Sequence, residues 1–296
     1  MTLMSHDTSR PATRAGRPPA SWRLTIAAAV FAVGGAAIML YPATASWFAD
    51  LHQRDALQSY AQQIAALDPA EVAARRDSAV AYNAQLVGGT LRDPFTNTDA
   101  GPLDDDARAY LDEITATPGE IMTELRIPGV ADLLPVYHGT SAETLERGIG
   151  HLYGSSLPVG GDGTHAVLTG HRGYPQATMF SNLDRLAEGD EFTLTTLGET
   201  MTYRVTSTSV VEPHDTASLA VVPGADLVTL ITCTPIGINT HRILVHAERV
   251  AGDASSAAVD QTPPLAFPWW AAGWAVAIAA GAGIVVRRGT AGRERR

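Results

Sequence analysis

The sequence has 296 residues and a formal net charge of −10, with nine histidines, one cysteine and no lysine. This length accommodates one or two ordinary domains, and a single cysteine excludes a scaffold held together by disulfides. Residues 42–264 contain 29 acidic residues and 12 arginines, a balance of −17. Because so acidic a surface repels phosphate, nucleic acid is excluded as a partner.

Two apolar segments are long enough to span a bilayer as helices. They are "LTIAAAVFAVGGAAIMLY" at 24–41 and "LAFPWWAAGWAVAIAAGAGIVV" at 265–286. Four arginines precede the first segment and five follow the second. Positive residues stay cytoplasmic, so we expect both termini inside and residues 42–264 outside. The small residues "ATAS" at 43–46 also allow a cleaved signal peptide, but the length of the first segment favours a retained anchor.

The segments between and around these spans differ in composition. Residues 1–23 and 287–296 are predicted to be cytoplasmic tails, and 253–264 a flexible linker to the second span. Residues 42–117 are predicted to contain helices at about 46–67, 69–86 and 104–116, where "DPAE" at 68–71 begins the second helix. An irregular loop at about 89–103 lies between the last two helices. A loop this long near a folded domain often forms a lid.

Residues 118–252 are predicted to form a β domain. Short β-type runs lie at 133–137, 165–170, 191–197, 200–212, 227–233 and 242–250. Turn residues separate them, and "TSAE" at 140–143 begins one short helix that ends near Gly148. The pattern indicates a mostly β fold with peripheral helices, and a closed or nearly closed β-barrel.

The single cysteine, Cys233, ends one predicted strand, and Arg242 lies near the start of the next. If these strands pair as a hairpin, the two side chains lie at the same end of the sheet. A guanidinium there stabilises a thiolate and can stabilise an oxyanion. His171 follows another predicted strand and could exchange protons with the thiol. Cysteine, histidine and arginine together are typical of acyl transfer.

Other interpretations of these residues remain open. A lone cysteine in a strand is often a small buried hydrophobe, although an unpaired thiol outside the cytoplasm is unusual and favours a reactive role. From spacing alone, His138, His165, His241 or His246 could replace His171. Histidine, cysteine and carboxylate side chains do not have metal-ligand spacing, so neither a metal nor another cofactor is predicted.

Three motifs resemble those of sortases, the cysteine transpeptidases on the surface of Gram-positive bacteria. They are "LTGHRG" at 168–173, "TLITC" at 229–233 and "NTHR" at 239–242, and the similarity covers most of residues 120–250. The resemblance implies a closed eight-stranded β-barrel with three catalytic residues: Cys233, His171 and Arg242. It also implies that Thr232 and Leu230 bind substrate.

Two features are similar to class C sortases, which polymerise pilins. One is the second apolar segment, and the other is "DPF", residues Asp93, Pro94 and Phe95, inside the irregular loop. Class C enzymes carry an Asp-Pro-aromatic motif in a lid over the active site. The resemblance implies that Asp93 pairs with Arg242 and that Phe95 packs on the Cys233 sulfur. Ile236 departs from the family pattern, which often has tyrosine there.

The resemblance implies cleavage of an LPXTG-like sorting signal between threonine and glycine, followed by transfer of the acyl group to a pilin lysine. The implied partners are pilin subunits and the membrane, and the catalytic domain is expected to be monomeric. Two alternatives stay open. A housekeeping sortase would attach surface proteins to a cell-wall precursor, and a non-enzymatic, membrane-tethered binding module would have an inert cysteine.

Overall fold

The computed structural model describes residues 20–86, 91, 93–95, 105–114, 121–255 and 267–291. The chain divides into two compact units. One unit, residues 45–267, contains the β domain, and the other consists of residues 1–44 and 268–296.

The described residues form five α-helices and eight strands. The helices are α1 (Ala20–Ala66), α2 (Pro69–Gln85), α3 (Asp105–Asp112), α4 (Ala142–Arg147) and α5 (Trp269–Ala291). The strands are β1 (Ile121–Ile127), β2 (Ala131–His138), β3 (Ile149–His151), β4 (Thr164–Thr169), β5 (Glu191–Thr196), β6 (Glu199–Val211), β7 (Asp226–Thr234) and β8 (His241–Ser255).

The eight strands close into a barrel in the order β1-β2-β3-β4-β7-β8-β6-β5. The eight-stranded closed barrel implied by the resemblance is therefore confirmed. The sequence analysis missed β1 and β3. Strand β3 has three residues, too few to show an alternating pattern, and it joins β2 to β4 by pairing with both. Strands β4 and β7 pair in parallel, with Leu168 opposite Leu230.

Strands β4, β7 and β8 are covered on both faces. Successive side chains point to opposite faces of a strand. On one face, Leu168, Leu230 and Val245 belong to the main barrel core. On the other face lies a second cluster, which we call the outer cluster. Its buried members are Leu152, Val167, Leu219, Ile231 and Leu244, and the partly buried Leu91, Phe95 and Val211 pack against it. The outer face of these strands is thus covered by residues of the predicted lid.

Helix α1 is longer than predicted. It runs from Ala20 to Ala66 with Pro42 inside it, so it joins the first apolar segment to the helix predicted at 46–67. The sequence around Pro42 is rich in alanine, which favours continuation of the helix on either side. Tyr60 anchors the later part: its hydroxyl donates to the Met122 carbonyl at 3.2 Å and accepts from the Leu197 amide at 3.1 Å.

Asp68 begins helix α2 by accepting a hydrogen bond from the Ala70 amide at 2.8 Å. The predicted helix at 104–116 is observed as α3, over Asp105–Asp112. Of the predicted lid at 89–103, the described residues are Leu91 and 93–95. Residues 253–255 of the predicted linker lie in β8, which ends at Ser255. The rest of that linker and most of the two predicted tails lie outside the described residues.

Two described helices are long and apolar enough to cross a membrane, one in α1 and one in α5. Within their unit, the Trp274 indole N–H donates to the Thr44 hydroxyl at 3.3 Å. Gly273 lies against Leu40, and Gly281 lies against another residue of α1. Small residues allow helices to approach closely in a membrane. The orientation of the spans, and retention of the first one, stay predictions.

Candidate active site

Strands β7 and β8 place Cys233 directly opposite Arg242 in their antiparallel register. The loop between them, 235–240, is short enough to connect neighbouring antiparallel strands. Both side chains are buried, with 6% of Cys233 and 5% of Arg242 exposed. The predicted hairpin therefore brings the thiol and the guanidinium to one end of the barrel.

Asp93 forms a bidentate ion pair with Arg242. The Nε and Nη2 groups of Arg242 donate to the two carboxylate oxygens at 2.6 and 2.8 Å, and both side chains are almost inaccessible. The remaining Nη1 group donates to the carbonyls of Asn239 and His241 at 2.9 and 3.1 Å. Paired, charge-assisted bonds of this kind are strong. In this arrangement Asp93 of the predicted lid occupies the two donors that could stabilise an oxyanion.

Phe95 lies between the guanidinium and His171. The centre of its ring is 5.0 Å from Arg242 Cζ and 6.0 Å from the centre of the imidazole ring. The imidazole ring of His171 also stacks on the ring of Tyr174, with their centres 5.2 Å apart. Pro94, between Asp93 and Phe95, is buried. The lid motif thus contacts both predicted catalytic partners of the cysteine. Its expected packing on the Cys233 sulfur stays a prediction.

His171 follows β4, and the preceding residue, Gly170, is hydrogen-bonded to β7. The amide of Gly170 donates to the Ile231 carbonyl at 3.2 Å, and the Thr232 hydroxyl donates to the Gly170 carbonyl at 2.7 Å. The parallel pairing of β4 with β7 therefore brings His171 to the cysteine end of the barrel.

The four alternative histidines lie in other environments. His138 is buried against the ring of Tyr110, and His241 is exposed beside Thr240. The other two, His165 and His246, are hydrogen-bonded to one threonine of β7. Within the described ranges, no group of three histidine, cysteine or acidic side chains could hold a metal ion.

Burial, together with the charge of Asp93, keeps the cysteine protonated at neutral pH. Burial raises the pKa of the Cys233 thiol to about 11, with Arg242 lowering it and Asp93 raising it. Burial lowers the pKa of His171, against a smaller opposite effect of Glu146. At neutral pH the pair is therefore a neutral thiol and a neutral imidazole. An imidazole in this state can accept the thiol proton.

Arg172 is a residue of the site that the sequence analysis did not identify. Its Nη1 donates to the Thr234 hydroxyl at 2.9 Å, and its Nη2 pairs with Asp184 at 2.8 Å. Arg172 follows His171, and Thr234 follows Cys233, so the contact joins the two reactive segments. Its position beside His171 in "HRG", after the end of a strand, could have marked Arg172 as a residue of the site. Its partner Thr234 could not be found in this way, because it is 62 residues away.

The expected substrate-binding role of Thr232 and Leu230 stays a prediction. Both side chains are fully buried: Leu230 lies in the barrel core, and Thr232 bonds the Gly170 carbonyl. Thr232 thus holds the histidine segment against β7.

Gly173 is required by the turn that carries His171. It has a φ of +69°, and a Cβ added there would lie 2.4 Å from Cγ2 of Ile236. Ile236 therefore packs directly on the histidine turn, at the position where the resemblance implies a tyrosine. This contact ties the loop after the cysteine to the segment after His171.

Gly173→Ala is expected to lower turnover at least tenfold, because the left-handed φ and the clash with Ile236 both displace His171. The measurement is the peptide transpeptidation that the resemblance implies, alongside the melting temperature. Gly237→Ala is the matched control, since Gly237 has a φ of +77° but no atom within 4 Å of an added Cβ. Adding Ile236→Ala should restore part of the turnover that Gly173→Ala loses, because it removes the side chain in the clash. Equal losses of turnover in Gly173→Ala and Gly237→Ala would contradict a role for the contact between Gly173 and Ile236.

A sequence profile described as the Sortase domain matches residues 125–250. Sortase D of Bacillus subtilis (strain 168) is 30% identical over 135 residues, which cover 45% of this chain and 65% of that protein. Sortase A of Streptococcus agalactiae serotype III (strain NEM316) is 32% identical over 127 residues, covering 42% and 51%. The chain thus spans between half and two thirds of these curated relatives.

Solved structures extend the similarity. Sortase C-1 from Actinomyces oris is 49% identical, with a TM-score of 0.59, covering 62% of this chain and 99% of that chain. Streptococcus pneumoniae Sortase C is 38% identical, with a TM-score of 0.60 and coverages of 65% and 95%. Sortase A from Corynebacterium diphtheriae is 38% identical, with a TM-score of 0.61 and coverages of 73% and 98%.

The fold and the site together define a β-barrel protein with cysteine, arginine and histidine at one barrel end, beneath an Asp-Pro-Phe segment. With the matches above, the chain belongs to the sortase family. Two of these solved relatives are named sortase C, which supports its assignment to class C.

Proposed function

We propose that this protein is a membrane-anchored cysteine transpeptidase that polymerises pilins. Its substrate is an LPXTG-like sorting signal, cleaved between threonine and glycine. The observation that carries the proposal is the buried Cys233–Arg242 pair, which lies beneath Asp93 and Phe95. A buried structural cysteine needs neither a facing arginine nor a carboxylate that occupies that arginine.

The first chemical step begins when the lid leaves. Withdrawal of Asp93 frees Nε and Nη2 of Arg242, and the thiol proton of Cys233 passes to neutral His171. The thiolate attacks the threonine carbonyl carbon, and the oxyanion accepts hydrogen bonds from Arg242. The protonated imidazole then donates its proton to the glycine amine as the C–N bond breaks. The product is a thioester on Cys233 and a free glycine peptide.

The second step resolves the thioester. A neutral lysine amine of a neighbouring pilin attacks the carbonyl carbon and gives up a proton to His171. The C–S bond breaks, the sulfur regains a proton, and an isopeptide bond joins the subunits. The chain contains no lysine, so no side-chain amine of the enzyme competes with the pilin for the thioester.

The choice of pilin as substrate draws on the relatives. The structure of the Streptococcus pneumoniae Sortase C is described as giving insights into pilin substrate specificity, and a Group B Streptococcus relative is described as pilus-related. For this chain we propose the same partner, with both termini cytoplasmic and the catalytic barrel outside the membrane as a monomer. The acyl transfer uses side chains alone and requires neither metal nor cofactor.

The test uses the full chain in detergent with two pilin proteins, one carrying an LPXTG-like signal and the other an acceptor lysine. Joined subunits are detected by gel mobility, and the isopeptide is located by mass spectrometry. Cys233→Ala is expected to give no product, and a Cys233→Ala protein that still joined subunits would disprove the mechanism. His241→Ala, an exposed neighbour of Arg242, should keep full activity.

Two other functions are outcomes of the same assay. Several relatives are named sortase A, so a housekeeping role is tested by offering a cell-wall precursor amine in competition with the pilin lysine. Preferential transfer to the wall amine would replace the pilin proposal. A non-enzymatic binding module would form no product and would leave Cys233 unreactive toward alkylating reagents after removal of the lid.

A further inference from the structure

A chain of three hydrogen-bonded side chains lies on the lid side of the barrel, outside the mechanism above. His165 Nε2 is 2.7 Å from the Thr229 hydroxyl, and that hydroxyl is 2.8 Å from His246 Nδ1. The residues belong to β4, β7 and β8. Because side chains alternate along a strand, Thr229 points to the same face as Ile231 and Cys233.

The other imidazole nitrogen of His165 contacts the segment between β6 and β7. Nδ1 is 3.0 Å from the carbonyl of Ala220. A carbonyl only accepts, so Nδ1 carries the proton. Burial lowers the pKa of His165 and of His246, so both are neutral at pH 7. Nε2 of His165 therefore accepts a hydrogen bond from the Thr229 hydroxyl, and this hydroxyl accepts one from Nδ1 of His246. The hydrogen bonds thus run without a break from the Ala220 carbonyl through His165 and Thr229 to His246.

The segment bound by His165 also contacts the lid. We call residues 216–220 the latch segment. The hydroxyl of Thr216 donates to the carbonyl of Leu91 at 3.1 Å. Leu219 is buried in the outer cluster, against which Leu91 and Phe95 pack. The latch segment therefore contacts the barrel on one side and the predicted lid on the other.

The latch segment depends on side chains for its attachment. Its described backbone hydrogen bonds are local turns, such as Leu219 N to Thr216 O at 3.0 Å and Ala220 N to Ala217 O at 3.4 Å. Such turns shape a segment without joining it to a strand. The bond from His165 to Ala220 supplies a link to β4, whose pairing with β7 is fixed by the barrel.

We propose that His165 is a positioning residue, held by Thr229 and His246, that keeps the latch segment where Thr216 and Leu219 retain the lid over Cys233. His165 is 64 residues from Thr229 in sequence and touches no reacting atom. The inference rests on the proposed function only in that the lid covers a reactive Cys233.

The test measures alkylation of Cys233 by iodoacetamide in the full chain, followed by intact mass. The single cysteine makes the product unambiguous. His165→Gln and His165→Asn are a matched pair, because a glutamine amide nitrogen replaces Nε2 and an asparagine amide nitrogen replaces Nδ1. We expect His165→Gln to react about five to ten times faster than wild type, the effect of one lost hydrogen bond. His165→Asn, which can still donate to Ala220, should stay within about twofold of wild type.

Thr216→Val supplies an independent test on a half-buried side chain. It removes the hydroxyl that donates to Leu91 with little change of shape, so it should accelerate alkylation about as much as His165→Gln. Thr216→Val also tests the proposal if His165→Gln fails to fold. Wild-type alkylation rates in Thr216→Val, or equal acceleration by glutamine and asparagine at position 165, would overturn the proposal.

The Asp93→Ala background separates lid retention from general loosening. If His165 acts through the lid, then His165→Gln adds no further acceleration once the lid is already released, and the two changes are non-additive. If the accelerations of Asp93→Ala and His165→Gln multiply in the double variant, the proposal is overturned. If the alkylation pattern holds while pilin joining fails in the wild type as well as in every variant, the proposed function falls and the positioning role of His165 stands.

Discussion

Asp93→Ala is expected to increase the rate of Cys233 alkylation at pH 7.5 by about tenfold or more. The substitution removes the carboxylate that holds the lid on Arg242. It also removes the negative charge that raises the pKa of Cys233 and leaves the arginine to stabilise the thiolate. Each unit by which the pKa falls increases the thiolate fraction about tenfold at this pH. Iodoacetamide labelling followed by intact mass measures the rate.

The pH dependence of labelling distinguishes release of the lid from the change in the pKa of Cys233. In wild type, the thiol pKa of about 11 means that the rate rises with pH throughout the range from 6 to 9, because the thiolate remains a minor species. In Asp93→Ala, the midpoint should move to lower pH. Asp93→Asn is the matched control, since it keeps the size of the side chain without its charge and should give an intermediate rate. An unchanged rate in Asp93→Ala would show that the ion pair does not hold the lid.

Arg242→Ala is expected to reduce turnover of the pilin-joining reaction about 100- to 1,000-fold, the effect of losing a principal oxyanion donor. Its effect on alkylation differs from that of Asp93→Ala. Removal of the guanidinium takes the bidentate ion pair from the lid, but it also removes the positive charge that lowers the pKa of Cys233. Alkylation slower than in Asp93→Ala, together with the loss of turnover, is therefore the expected signature, measured on one preparation.

Two variants provide the comparison for Arg242→Ala. Arg242→Lys keeps the charge but loses the planar pair of donors, so it should recover only part of the turnover. His241→Ala changes the exposed neighbouring residue and should leave both rates within about twofold of wild type, as expected for a surface substitution. Full turnover in Arg242→Ala would exclude the arginine from the chemical step.

The hairpin of the site could be predicted because it is local. Cys233 and Arg242 end and begin consecutive strands, and a short loop leaves them few ways to pair. Six of the eight described strands and helix α2 could also be located, the strands from alternation and the helix from the Asp68 cap. Strand β3 could not, since three residues carry no period, and its place in the barrel depends on β2 and β4.

Local sequence patterns are enough to predict the two apolar segments, the mostly β domain and the pairing of thiol with guanidinium, because each depends on neighbouring residues. The resemblance supplied the eight-stranded barrel and the partnership of Asp93 with Arg242, residues 149 apart. Three findings came from the three-dimensional structure: α1 is continuous, Thr232 and Leu230 are buried, and particular side chains support the site. Arg172 with Thr234, and His165 with Thr229, are joined across the parallel pairing of β4 and β7. Such contacts depend on the register of strands about 60 residues apart, which no local pattern encodes.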